Sequence, residues 1–110
     1  MPYLSEKEMK VVKAFCADVR KTLGDNVVSI TLFGSRARGE GTEESDIDVL
    51  ILLEESNLET DWRISEITAD YMLEYDIPLS PIIFTEEEWS TNKKRGSFFV
   101  ESVEKEGVLS

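Results

Sequence analysis

Two aspartates one residue apart, Asp46 and Asp48, open an apolar run, and a Gly34-Ser35 pair stands upstream with ten residues between Ser35 and Asp46. On an extended strand alternate side chains share a face. The two carboxylates would then project together from Cα atoms roughly 6–7 Å apart. Like charges at that spacing repel unless a cation lies between them. Mg²⁺ takes oxygen ligands of this kind, usually one or two carboxylates together with substrate phosphates. Gly34 offers a backbone that a phosphate could approach closely. Ser35 offers a hydroxyl, and a helical turn starting there would add its positive end. Arg36 and Arg38 flank the pair with guanidinium groups, which suit phosphate oxygens. Ser45, next to Asp46, joins this candidate nucleotide site. The chemistry indicated is displacement at the phosphorus of a cation-bound triphosphate.

The flanking elements have to place these groups. Ser5 and Glu8 have the spacing of a capping box. Met9, Val12, Cys16, Val19 and Leu23 follow as one apolar stripe that Phe15 widens, and Gly24 ends the helix. Val27 to Phe33 alternates as a first strand, with Val28, Ile30 and Leu32 on one face. Gly34 to Ser45 is a polar connection. Ile47 to Leu53 is a second strand whose apolar end predicts cover on both faces. Ser56 and Glu59 predict a second capping box, before a helix running to about Tyr75. Trp62, Ile64, Ile67, Tyr71 and Met72 are expected to form its buried face. Ile77 to Phe84 reads as a third strand, at an edge or irregular because Pro78 and Pro81 cannot donate ladder hydrogen bonds. Thr85 and Glu88 open a short helix, and Ser97 caps a last one, Phe98 to Glu106, that Gly107 stops. The order predicts one domain over residues 1–110, of α/β (α+β) class, with a small mixed sheet flanked by helices.

Composition excludes other classes. The net charge is −11, with no histidine and one cysteine, Cys16. An acidic surface repels polyphosphates at long range, so direct nucleic-acid binding is not expected. The longest apolar run, Val49 to Leu53, is too short for a membrane span. Cys16 permits no intrachain disulfide and is expected in the core. A cytoplasmic location follows as the default expectation.

The ordered set Gly34-Ser35, ten residues, then Asp46-Ile47-Asp48 resembles the fingerprint of the nucleotidyltransferase superfamily that includes DNA polymerase β. Length and the phrase from Phe33 to Gly39 resemble its minimal members, the antitoxins of HEPN/MNT pairs. The resemblance implies Asp46 and Asp48 as metal-holding catalytic residues, and Gly34, Ser35, Arg36 and Ser45 as the nucleotide site. It implies Mg²⁺ as cofactor and transfer of AMP from ATP to a hydroxyl of a partner HEPN-type toxin, within a hetero-oligomer. One position departs from the pattern. The superfamily's third carboxylate falls, by alignment, on Ser80. Asp76 has the same facing parity but lies roughly 13 Å back along an extended strand, so it is expected to be a turn residue. A hydroxyl cannot act as an aspartate base would. The alternative is therefore a catalytically weakened antitoxin that neutralises its partner by binding. An antibiotic-modifying transferase fits less well, because such enzymes carry an extra domain to hold the drug.

Overall fold

The computed structural model describes residues 4–34, 36 and 45–109. Helix α1 spans Glu6–Leu23. It opens with the predicted box: Ser5 Oγ accepts from the Glu8 N–H, and Glu8 Oε1 accepts from the Ser5 N–H. Gly24 closes it at φ 56°, a conformation that favours glycine. After a short turn, Gly24–Asn26, the chain enters β1, Val27–Phe33. Strand β2 is Ile47–Leu53, followed by helix α2, Leu58–Tyr75, and strand β3, Leu79–Thr85. Helices α3, Glu86–Lys94, and α4, Phe98–Glu106, lead to a two-residue strand β4, Val108–Leu109.

The sheet has the order β3-β2-β1-β4. Strands β1 and β2 pair antiparallel, as do β1 and β4, while β2 and β3 run parallel across the α2 connection. The sheet is therefore mixed, and β3, which carries Pro81, stands at its edge. Helices α1 and α2 cover one face. Val12, Phe15, Cys16 and Val19 of α1 and Ile64 of α2 meet Ile30, Leu32, Ile47, Val49 and Ile51 in one cluster. Helices α3 and α4 cover the other face through an aromatic group of Phe33, Phe84, Trp89 and Phe99. With both faces covered, β2 is buried nearly throughout. The Tyr71 hydroxyl donates to the Asp18 carboxylate and ties α2 to α1. Burial, then the Asp18 hydrogen bond and charge, push the phenol up to about 12. The tie is present at neutral pH and is lost only as pH rises through that value. No helix among the described residues is long and apolar enough to cross a membrane.

Three expectations are corrected. The cap of α2 is not Ser56 with Glu59 but Asn57 with Thr60, whose side chains satisfy each other's backbone N–H groups. Ser56 instead donates to Asp61 Oδ1 at 2.7 Å. The cap lies one residue later because Thr60 can return the bond that a glutamate usually makes. Trp62 and Met72 are not on the buried face: they are 67 % and 41 % exposed, while Thr68 is buried with Ile64. The helical repeat through 64, 67, 68 and 71 leaves both off the stripe. Val28 is also exposed, because the β1–β2 register slips between Val27 and Ser29.

Because Asn57 is the cap, Asn57→Ala should cost about 1 kcal/mol in urea unfolding, and Ser56→Ala clearly less. The reverse order would restore the cap read from sequence.

Candidate active site

The register fixes the site's base. Phe33 of β1 pairs with Asp48 of β2, and Asp48 pairs with Ser80 of β3. Their neighbours Leu32, Val49 and Leu79 lie in the core against α1 and α2. Phe33, Asp48 and Ser80 therefore form one row on the opposite face, across three strands. Asp46 shares the parity of Asp48, since Ile47 between them is fully buried. Asp46 is exposed and Asp48 partly buried. Asp76 ends α2 in the left-handed region, at φ 53°, and is exposed, as a turn residue should be.

Gly34 follows Phe33 with φ 81°. The space left by its missing side chain is the one in which the sequence predicts an approaching phosphate. The structure gives that space to Asp48: a Cβ at position 34 would lie 2.1 Å from Asp48 Oδ2. Glycine is needed there so that the aspartate can reach the start of the loop.

Arg36 is the main surprise. It was expected beside a phosphate, yet it is completely buried. Its Nη2 donates to Glu8 Oε2 at 2.5 Å, and its Nη1 donates to the Ser45 carbonyl at 2.9 Å. The guanidinium thus joins the start of α1 to the backbone just before Asp46. Ser45, expected as a nucleotide contact, enters through its carbonyl as a partner of Arg36. Burial would raise the Glu8 carboxyl, but hydrogen bonds from the Ser5 N–H and Arg36, with the Arg36 charge, outweigh it and hold it below its ordinary value. Glu8 was read only as a helix cap. Its second role had one faint signal, a carboxylate in the first turn of the helix preceding a loop rich in arginine. Ser35, Arg38 and Gly39 lie outside the described residues.

Asp46, Asp48 and Ser80 offer only oxygen atoms as donors, and two of the three residues are carboxylates. No group of three or more His, Cys, Asp or Glu side chains among the described residues could hold a metal ion. Two carboxylates suit a cation that completes its shell with phosphate and water, as Mg²⁺ does. A cleft of about 190 Å³ opens beside the row, lined by Phe33, Gly34, Phe99, Ser102, Val103 and Glu106. A larger groove of about 530 Å³ lies elsewhere, between α1 and the β4 edge. Its lining is mainly apolar, so it does not compete with the aspartate row as a site for phosphate chemistry.

Asp46 and Asp48 at the head of a central strand of a mixed sheet, beside Gly34, suit nucleotidyl-transfer chemistry. The nucleotidyltransferase domain family matches residues 8–109, and the chain belongs to that family. Two similar proteins of Methanocaldococcus jannaschii are each named putative protein adenylyltransferase. One is 40 % identical over 101 residues, covering 91 % of this chain and 95 % of the relative. The other is 35 % identical over 100 residues, covering 91 % and 94 %. The crystal structure of a putative nucleotidyltransferase from Sulfolobus solfataricus shares the fold, with a TM-score of 0.57 and 24 % identity over 92 % of this chain and 77 % of that one. A toxin–antitoxin structure with AMP-PNP shares it at TM-score 0.56 and 18 % identity, over 88 % and 70 %.

Gly34→Ala should drive Asp48 from its position and cost roughly 1–3 kcal/mol of stability, since alanine is strained at that φ. Calorimetric titration with Mg²⁺ and a non-hydrolysable ATP analogue should show binding weakened at least tenfold. Unchanged affinity would separate the Asp48 position from the site. The Glu8 carboxylate, held low in the fold, stabilises it above the ordinary glutamate range and ceases to do so as pH falls below that range. The stability gap between wild type and Glu8→Gln, followed by urea unfolding, should therefore be full at pH 7 and shrink below about pH 4.

Proposed function

We propose that this chain transfers AMP from ATP to a hydroxyl on a partner protein, and that the partner is a HEPN-type toxin that the modification silences. Membership of the nucleotidyltransferase family supports the reaction class. The names of the two archaeal relatives support a protein as acceptor. The occurrence of this fold in a toxin–antitoxin structure with AMP-PNP is in keeping with the partner.

The observation that carries the reading is the aspartate row opposite Gly34. Asp46 and Asp48 would hold Mg²⁺, which when bound would offset triphosphate charge and polarise the reacting phosphoryl group. The protein's own contributions are positional. Gly34 leaves room for the Asp48 carboxylate. The buried Arg36 holds the chain before Asp46 through the Ser45 carbonyl. Ser35 is assigned the triphosphate, as the family fingerprint implies. Transfer forms a bond from the acceptor oxygen to the α-phosphorus and breaks the bond to the leaving pyrophosphate, and the acceptor proton is released.

Ser80 bears on that proton. It pairs with Asp48, where a third carboxylate was expected, and its neutral hydroxyl is a poor base. This favours the second reading, an antitoxin of weakened activity that acts by occupying its partner. The two separate cleanly. With labelled ATP, Mg²⁺ and a HEPN-type protein from the same genome, wild type should label that protein, and Asp48→Ala should lower the rate roughly a hundredfold. Absence of label at any nucleotide, with a folded Asp46→Ala/Asp48→Ala double variant still neutralising the partner in cells, would leave binding as the function.

A further inference from the structure

We infer that Glu8 is a positioning residue for the nucleotide site: the N-terminal cap of α1 is also the clamp that sets the start and end of the Gly34–Ser45 connection. The inference rests on the nucleotidyl-transfer reading and adds a residue outside the family fingerprint.

Three observations carry it. The two carboxylate oxygens of Glu8 are divided between two tasks, Oε1 on the Ser5 N–H and Oε2 on Arg36. Arg36 is fully buried, and loss of a hydrogen-bonded carboxylate is expensive for a buried guanidinium. The same guanidinium grips the Ser45 carbonyl, one residue before Asp46, and itself lies two residues after Gly34. One planar fork thus joins the helix end to both ends of the connection. Glu8 fixes one arm of the fork through a charge-assisted hydrogen bond from Nη2 to Oε2. A misplacement of about 1 Å at reacting groups can lower a rate a hundredfold. An ion pair 28 residues apart in sequence can therefore decide how well the aspartates meet the phosphates.

The test exploits the division of labour. Glutamine can still serve as the reciprocal cap of the box. With its carbonyl oxygen on the Ser5 N–H, glutamine turns toward Arg36 an uncharged amide nitrogen, which is a donor and cannot accept from the guanidinium. Glu8→Gln therefore strikes the clamp and spares the helix cap. Ser5→Ala does the opposite: it removes the hydroxyl of the box and leaves Glu8 and Arg36 intact. Affinity for a non-hydrolysable ATP analogue with Mg²⁺ is measured by calorimetry at neutral pH, well below each variant's unfolding temperature. Glu8→Gln and Arg36→Lys should each weaken binding roughly tenfold, and the double variant should be little worse than either, since both break one unit. Ser5→Ala should lower the unfolding temperature and leave affinity unchanged. Glu8→Gln with wild-type affinity would overturn the inference while leaving the nucleotidyl-transfer reading intact. Additive losses, or an equal loss in Ser5→Ala, would reduce Glu8 to a helix cap and overturn it as well. A folded wild type that binds no nucleoside triphosphate would sink the transfer reading and this inference with it.

Discussion

The site depends on one close approach: the carboxylate of Asp48 occupies the space in which any side chain at position 34 would sit. That approach is possible only because Phe33 and Asp48 are register partners and the chain turns at Gly34 with a positive φ. A one-residue slip between β1 and β2 would send Asp48 to the opposite face, into the cluster under α1 and α2. The register is held against such a slip by the apolar alternation of both strands. Ile47, Val49 and Ile51 must stay in the core with Ile30 and Leu32. Hydrophobic burial in the sheet thus fixes where the charges lie, and the charges need not contribute to stability themselves.

A second constraint acts from the side of α1. Helix α1 packs its apolar stripe on the sheet, which brings its first turn within reach of the connection after β1. Glu8 there meets Arg36, and Arg36 meets Ser45. Packing, cap and connection are therefore one assembly. The acidic surface of the chain makes this arrangement informative. Arg36 is not spent on offsetting surface charge but is enclosed where a neutral residue would have been easier to bury.

Much of this was legible from sequence, for identifiable reasons. The caps of α1 and α3 and the span of α4 followed from local hydrogen-bonding chemistry. The edge position of β3 followed from Pro81, and the interest of Ser80 from the family resemblance, which puts a carboxylate at the position that pairs with Asp48. The α2 cap did not, because two overlapping residue pairs offer the same spacing and only the fold chooses between them. Trp62 is expected on the buried face of α2 with Ile64 and Ile67, but the stripe through Ile64, Thr68 and Tyr71 leaves it outside. The β4 strand is two residues long and has no pattern to read. The burial of Arg36 was hidden for another reason. An arginine beside a Gly-Ser pair has an obvious use at a phosphate, and its actual partner lies in a helix cap far away in sequence.

A cation shared by Asp46 and Asp48 against a bound triphosphate would be visible in a crystal grown with Mn²⁺ and a non-hydrolysable ATP analogue. Anomalous density should touch both carboxylates, with phosphate oxygens at the start of the connection that follows Gly34. Nucleotide bound elsewhere, or bound there with no metal on either aspartate, would refute the cation-holding role of the pair.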